Sequence, residues 1–319
     1  MRITSRQFKW HSERLHKRAT RAICGRLYRD TNRDMRRSFV IAGTGRSGTT
    51  WLAEIVGSQM KSRLMFEPFN PRKVKAYSQF HYFQYMRPAE PDAELREYCR
   101  TVFTGDIRSR WIDRGVTVLR PQHRVIKEIR ANLFLKWISA EFPAIPLLFI
   151  IRHPCAVVSS RMKLGWATDT DIEPFLAQPK LVEDFLADKL DIIERAGTTE
   201  EKHALIWCIS NLVPLEQFGT GGLTTVFYED LCTQPEVEIE RVFRRLQHGY
   251  QASVLDAIRA PSNTATRSSA VVTGDDGLTA WQRELSPRQI RDVLATVEAF
   301  GLGRLYGESA LPGSRPGDR

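Results

Sequence analysis

The chain has 319 residues, of which 42% are hydrophobic and 26% charged, so it can bury the core of a single large α/β domain. Its formal net charge is +10, but residues 1–37 alone hold 12 Lys and Arg against 3 Asp and Glu. The remaining chain is nearly neutral, so no nucleic-acid partner is expected.

Residues 1–37 are predicted to form a basic arm ahead of the main domain. Its apolar residues fall at roughly helical spacing between the basic ones, at Phe8, Leu15, Ala19, Ile23 and Leu27. A basic amphipathic helix can lie on an anionic membrane surface or hold a polyanionic acceptor. The alternative is a solvated helix that packs on its own domain.

The cysteines and the apolar runs predict the cellular compartment of the protein. The five cysteines are scattered and show no C-x-x-C spacing, which argues against a disulfide framework or a zinc site and favours a reducing compartment. No run reaches the ~18–20 apolar residues that a membrane span needs, and the chain starts without an apolar signal core. We therefore expect a cytoplasmic protein that is either soluble or peripheral to a membrane.

Apolar runs alternate with helical patterns along residues 38–307, the predicted main domain, and residues 308–319 are predicted to be a flexible tail. Buried strands are predicted at residues 39–42, 63–66, 124–127, 147–151 and 224–228. Helices are predicted near residues 50–59, 132–141, 154–164, 180–196, 200–217, 235–247 and 287–299. Residues 68–110, rich in aromatic residues and broken by prolines, are predicted to be a partly helical insertion that covers an acceptor site. Strands that alternate with helices indicate an α/β fold with a parallel sheet.

A glycine-rich turn follows the first strand. Gly43, Gly45 and Gly48 allow successive backbone N–H groups to point into one hollow, and a helix begins near Thr50. The helix N-terminus adds partial positive charge, so the turn is predicted to bind an anion.

Two known classes of nucleotide-binding turn are alternative interpretations of this sequence. The three glycines match the dinucleotide fingerprint, and Glu67 closes the next strand where a ribose-binding acid would lie. A dinucleotide turn prefers small side chains, whereas Arg46 and Ser47 interrupt this one. A nucleotide triphosphatase would need a lysine where Thr49 stands, and so would lose its phosphate clamp.

A second motif lies about a hundred residues later. Arg152 ends a buried apolar strand, and Ser160 lies on the helix that follows. An arginine at a strand end and a serine on the adjoining helix can both reach one phosphate. A site for NAD or for ATP would not need this second pair of phosphate-binding residues.

The two motifs together resemble those of the sulfotransferases that use 3′-phosphoadenosine 5′-phosphosulfate (PAPS), closest in style to the carbohydrate branch. The family's 5′-phosphosulfate loop carries a cation, then Ser-Gly-Thr-Thr and an aromatic or apolar residue, and here these are Arg46, Ser47, Gly48, Thr49, Thr50 and Trp51. The spacing of Arg152 and Ser160 resembles the family's 3′-phosphate motif. The resemblance also implies a P-loop-like parallel sheet flanked by helices, with Tyr228 near the adenine.

The resemblance suggests Arg46 as the residue that stabilises the transferring group, and it narrows the choice of base. The branch that acts on small phenols has a histidine where this chain has Ile129. Glu67 resembles the carboxylate of a Phe-Glu-Pro segment in carbohydrate sulfotransferases, and it is the favoured general base. The other candidates are Glu128, His81 and His123.

The sequence therefore predicts a sulfotransferase with PAPS as co-substrate and no metal. A glycan or glycolipid hydroxyl is the favoured acceptor, and a small metabolite or a protein tyrosine is the alternative. Two other classes remain open at this point: an NAD-binding oxidoreductase and a non-catalytic protein that binds polyanions or membranes.

Overall fold

The computed structural model describes residues 20–21, 23–166, 168–219, 221–264 and 277–313, without the side chains of residues 169 and 170. Five strands form one sheet: β1 Ser38–Ala42, β2 Ser62–Phe66, β3 His123–Lys127, β4 Leu147–Ile151 and β5 Thr224–Phe227. Their order is β2-β3-β1-β4-β5, and every neighbouring pair is parallel. The predicted parallel α/β fold is confirmed, and each strand lies within one residue of its predicted bounds.

Helices connect the strands and cover both faces of the sheet. The longer ones in chain order are Thr49–Gln59, Ala93–Phe103, Leu135–Glu141, Pro154–Lys163, Asp169–Leu176, Thr199–Phe218, Pro235–Arg245 and Pro287–Ala299. Shorter ones are Leu190–Arg195, Tyr228–Thr233, Val254–Arg259 and Ala280–Glu284. The single helix predicted at 180–196 is wrong, because a π-helical turn at Val182–Leu186 and a 3₁₀ turn at Ala187–Lys189 interrupt it.

The core lies on both sides of the sheet because successive strand residues point to opposite faces. In β1, Val40 and Ala42 pack into the larger apolar cluster, which includes the buried Trp137. Phe39 and Ile41 pack into a second cluster on the other face. All five residues of β1 are buried, as expected for the central strand of a covered parallel sheet.

Local signals fix where the helices begin. Thr198 and Glu201 form a capping box at the start of Thr199–Phe218, with each side chain bonded to the other's backbone N–H. Gly48 precedes Thr49–Gln59 in the left-handed conformation, at φ 97°. The turn at Gly48 places the N-terminus of Thr49–Gln59 near the carboxyl end of β1.

A buried ion-pair network at the opposite end of the sheet holds the described part of the N-terminal arm. Asp30 accepts hydrogen bonds from Arg124 Nη2 at 2.7 Å and from Arg63 Nη1 at 3.3 Å, and all three side chains are almost fully buried. Ile23 and Leu27, from the predicted apolar stripe, are exposed, whereas Phe8, Leu15 and Ala19 lie outside the described residues. Membrane binding by the arm stays a prediction.

Two further observations concern the predicted tail and the membrane. Within the predicted tail, the N–H of Gly313 donates to the carbonyl of Leu305 at 2.9 Å. In the part of the chain that the structure describes, no helix is long and apolar enough to cross a membrane.

Candidate active site

A cavity of about 730 Å³ opens at the carboxyl edge of the sheet. Each of the five strands contributes to its wall at or just beyond its carboxyl end, through Arg46, Glu67, Lys127, Arg152 and Tyr228. Ligands of parallel α/β sheets bind at this edge, beside the point where the chain switches from one side of the first strand to the other. The sheet therefore gathers residues that are up to 182 positions apart in the sequence.

The glycine turn forms one wall of this cavity. Gly48 must be a glycine, since a Cβ there would lie 2.8 Å from Cδ2 of Tyr228. A Cβ on Gly45 would lie equally close to Trp166. Arg46 itself has a φ of 83°, in the left-handed region that costs a residue with a side chain about 1–2 kcal/mol. The turn thus fits tightly between two aromatic rings at the start of a helix.

The predicted loop residues line the cavity with one exception. Gly48, Thr49, Thr50 and Trp51 line it, and the first N–H groups of a helix have no partner within the helix. Ser47 does not line it. Its N–H donates to the carbonyl of Thr44 at 3.0 Å, and its buried Oγ has no hydrogen-bond partner in the described part of the chain.

The two predicted phosphate motifs meet in the same wall. Arg46 Nε donates to Ser160 Oγ at 2.9 Å, across 114 positions of sequence. Arg152 donates from Nη1 to the carbonyl of Arg46 at 3.4 Å and from Nη2 to the carbonyl of Gly277 at 3.0 Å. The arginine of each motif is therefore tied to a residue of the other motif or of the C-terminal segment.

Neither arginine has a carboxylate ion-pair partner among the described residues, and Arg152 Nε is buried there without any hydrogen-bond partner. Burial, followed by the charge of Arg152, lowers the pKa of Arg46 to about 10, against the opposing effect of Tyr228. Two like charges in a shared, partly desolvated wall repel each other. An anion bound between them would relieve that repulsion, so the wall has the electrostatics of an anion site.

An aromatic pair stands beside these cations. The rings of Trp51 and Tyr228 have their centroids 5.1 Å apart, and the guanidinium carbon of Arg152 lies 4.2 Å from the Tyr228 centroid. Trp51 is fixed by a hydrogen bond of 3.1 Å from its Nε1 to the carbonyl of Ile258. Such rings offer a flat surface against which a base can stack.

Glu67 lies on the opposite side of the cavity in a buried ion-pair triad. Its Oε1 accepts from Lys127 Nζ at 2.5 Å, and its Oε2 accepts from Arg130 Nη1 at 2.6 Å. Burial acts to raise the pKa of this carboxyl, but the two cations outweigh it and hold the pKa below its usual range. The backbone of Glu67 is left-handed, at φ 46°, and its carbonyl accepts from Trp111 Nε1 at 3.2 Å.

The other three candidate bases are not in the cavity wall. Glu128 is fully buried and accepts from the N–H of Phe69 at 2.7 Å, and burial together with the charge of Glu67 raises its pKa to about 7. His123 lies at the first residue of β3, at the far end of that strand from the cavity, and His81 is exposed. Of the four, only Glu67 can face a bound acceptor.

Sequence reasoning overlooked several cavity residues. Arg130 and Trp166 line the wall, as do the cations Arg114, Lys163 and Arg259. With these included, seven Lys and Arg line the cavity against two carboxylates, so its charge is strongly positive. Arg130 could have been found, because it follows the predicted strand 124–127 by three residues at the ligand-binding edge.

The fold and the cavity define an α/β protein with an arginine-bearing glycine turn at a helix N-terminus and a second arginine at the end of the adjoining strand. Residues 38–252 match the model of the sulfotransferase family. The chain belongs to the sulfotransferase family and is a PAPS-dependent enzyme. This membership sets aside the dinucleotide oxidoreductase and the non-catalytic binding protein.

Several solved structures resemble the chain at low sequence identity. The sulfotransferase domain from the curacin biosynthetic pathway is 13% identical, with a TM-score of 0.42 over 83% of this chain and 97% of that one. Mouse sulfotransferase SULT7A1 complexed with PAP is 13% identical, with a TM-score of 0.43 over 86% and 89%. Sulfotransferase STF9 from Mycobacterium avium is 12% identical, with a TM-score of 0.41 over 97% and 84%. No curated protein matches the sequence significantly.

Proposed function

We propose that the cavity binds PAPS beside an acceptor hydroxyl of a glycan or glycolipid and releases adenosine 3′,5′-bisphosphate and the sulfated acceptor. One observation carries the proposal. Arg46 and Arg152 lie in a single wall at a helix N-terminus, where Arg152 donates to the carbonyl of Arg46, and neither has a carboxylate partner among the described residues. Two cationic groups held in this way suit a nucleotide with two separate phosphate-type groups.

The residues present fit such a nucleotide. A volume of about 730 Å³ is within the range of pockets that hold ligands of this size. Arg46 and the N–H groups at the start of Thr49–Gln59 would hold the 5′-phosphosulfate. Arg152 and Ser160 would hold the 3′-phosphate, and Trp51 and Tyr228 would stack against the adenine. The buried, unpartnered Nε of Arg152 is the kind of donor that a phosphate oxygen satisfies.

When bound, PAPS supplies an activated sulfuryl group and a phosphate leaving group. The protein's part is to position the reactants and stabilise charge, as in phosphoryl transfer. Arg46 needs no reorganisation to do this, because Ser160 and the backbone turn already hold its guanidinium in the wall. Its charge would act where negative charge grows on the transferring group and the leaving phosphate.

Glu67 is the proposed general base for the acceptor hydroxyl. With Lys127 and Arg130 against it, the carboxylate stays ionised at neutral pH and is ready to accept a proton. The same cations make it a weak base, so the proton would move from the acceptor oxygen to Glu67 only as the new oxygen–sulfur bond forms. Lys127 and Arg130 then also fix the direction in which the carboxylate faces.

A sugar hydroxyl is the favoured acceptor for two reasons. Ile129 lines the cavity where the branch acting on small phenols has a histidine, so that branch's base is missing. The rings of Phe66 and Trp111, with centroids 5.3 Å apart, line the wall beside Glu67 and offer an apolar surface for the carbon face of a sugar ring.

The test is a turnover assay with PAPS and a panel of neutral glycans, acidic glycans, glycolipids and phenols, following release of adenosine 3′,5′-bisphosphate. We expect turnover with a glycan or glycolipid, and a fall in kcat of about 10²–10³ for Arg46→Ala. Arg288→Ala is the matched control, because that arginine is exposed and does not line this cavity. Turnover of phenols alone would refute the acceptor class, and full activity in Arg46→Ala would refute the proposed site.

A further inference from the structure

A second, smaller cavity of about 220 Å³ adjoins the main one. Gly45, Ile129, Arg130 and Trp166 line both. The rest of its wall comes from several distant segments and includes Arg72, Tyr82, Phe83, Arg161 and Asp171. Residues 72–83 belong to the segment that the sequence predicted would cover an acceptor site.

Three guanidinium groups converge on this cavity. Two of them share the ring of Tyr82, with the guanidinium carbon of Arg72 at 3.8 Å and that of Arg130 at 4.5 Å from its centroid. Arg130 Nη2 also donates to the hydroxyl of Tyr82 at 2.5 Å. Asp171 joins the third guanidinium to the first, since it lies 3.1 Å from Arg161 Nη2 and 3.9 Å from Arg72 Nη1.

The third arginine, Arg161, is buried with its charge retained. Its Nε donates to His203 Nδ1 at 3.0 Å. Burial, followed by the charge of Arg161, lowers the pKa of the fully buried His203 to about 3, so this imidazole is neutral at physiological pH. The histidine therefore supplies an acceptor without supplying a negative charge, and Asp171 is the carboxylate that pairs with Arg161 in the part of the chain that the structure describes.

The charges around the two cavities do not balance locally. Arg130 shares Glu67 with Lys127, while Arg72 and Arg161 share Asp171. Among the residues that line the second cavity, three arginines stand against one carboxylate, Asp171. The charge of Arg130 also adds to the lowering of the pKa of Arg161 that burial begins and Asp171 opposes. Arg130 Nε is also buried without a hydrogen-bond partner in the described part of the chain. Burying such a cluster of cations lowers the stability of the fold unless an anion binds among them.

We propose that the acceptor carries an oxyanion, a carboxylate or a phosphate ester, which binds in the second cavity while its hydroxyl lies beside Glu67. Arg130 supports this arrangement, because it contacts Glu67 on one side and lines the second cavity on the other. The second cavity is too small for a nucleotide but accommodates an anionic substituent of a sugar. The inference rests on the proposed function and adds the chemical class of its acceptor.

The test uses protein saturated with adenosine 3′,5′-bisphosphate, so that the donor site is filled and cannot bind the probes. Methyl glucuronide, glucose 6-phosphate and methyl glucoside are then titrated by calorimetry at one salt concentration. We expect at least one anionic sugar to bind about tenfold to a hundredfold more tightly than the neutral one, because hydrogen bonds to charged groups contribute about 1.5–3 kcal/mol. The two anionic probes separate a carboxylate from a phosphate ester.

Two variants of Arg72 make the test specific to this cavity. Half of the Arg72 side chain is exposed, so its replacement should not prevent folding. We expect Arg72→Gln to lose most of the preference for the anionic sugar and Arg72→Lys to keep part of it. Equal binding of the three sugars, tighter binding of the neutral one, or no binding of any overturns the inference while leaving the donor site intact. Failure to bind adenosine 3′,5′-bisphosphate would instead overturn the proposed function.

Discussion

Replacing Arg152 with alanine tests the assignment of the second phosphate motif. The side chain packs on Tyr228 and donates to two backbone carbonyls, of Arg46 and Gly277, so its guanidinium is held in place before any ligand arrives. In the proposed site Arg152 contacts only the 3′-phosphate of the nucleotide. The variant should therefore weaken the binding of a nucleotide that carries a 3′-phosphate. It should leave the binding of a nucleotide without that phosphate unchanged.

The expected loss follows from the contacts that Arg152 can offer. A guanidinium can make two charge-assisted hydrogen bonds to one phosphate, each contributing about 1.5–3 kcal/mol. Because the side chain already donates to two carbonyls, the net loss should lie near the lower end, at about 3–4 kcal/mol. That corresponds to a fall in affinity for adenosine 3′,5′-bisphosphate of about 10²–10³.

Calorimetry with two ligands isolates the effect. Wild-type protein should bind adenosine 3′,5′-bisphosphate much more tightly than adenosine 5′-monophosphate, and Arg152→Ala should bind the two about equally. Arg152→Lys keeps the charge without the planar fork and should recover only part of the difference. An equal loss of affinity for both ligands would refute the assignment of Arg152 to the 3′-phosphate. Thermal unfolding of each variant serves as the folding control.

Three further predictions concern the base, the turn and a buried histidine. Glu67→Gln should lower kcat by about 10²–10⁴ without weakening nucleotide binding, measured by initial rates and calorimetry, and near-normal turnover would exclude Glu67 as the base. Gly48→Ala should lower thermal stability by more than Gly165→Ala does. Both glycines have positive φ, but a Cβ on Gly48 meets Tyr228 whereas one on Gly165 meets nothing within 4 Å, so equal losses would contradict the close packing. His203 has its pKa lowered from 6.5 to about 3, so its contribution to stability is complete above pH 6.5 and is lost as the pH falls. The free energy of unfolding of wild type should therefore fall by about 2 kcal/mol relative to His203→Gln between pH 7.5 and 5, measured with denaturant, and a constant difference would contradict this.

The sequence was sufficient to predict the sheet and the cationic wall. Buried parallel strands are continuous apolar runs, and their carboxyl ends must meet at one edge, so Arg46, Arg152 and Tyr228 could be expected in one place before the structure was known. Gly48 was also recognisable, because a phosphate turn before a helix requires a residue without a side chain at this position.

The contacts of Glu67 and the second cavity were beyond sequence reasoning. Glu67 shares its two oxygens between Lys127 and Arg130, and that division depends on the register of neighbouring strands and on a left-handed backbone at Glu67. The second cavity joins Arg72 and Arg161 through Asp171, although none of them belongs to a recognisable motif. The broken helix at 180–196 was missed because an apolar helical pattern does not reveal a π-helical turn.

We propose that the glycine turn and Arg152 together form a site for a 3′-phosphorylated nucleotide. The most direct measurement is a calorimetric titration of the purified protein with adenosine 3′,5′-bisphosphate, NAD and ATP at one fixed salt concentration. We predict that the bisphosphate binds far more tightly than the other two. Preferential binding of NAD, or no binding of the bisphosphate, would contradict it.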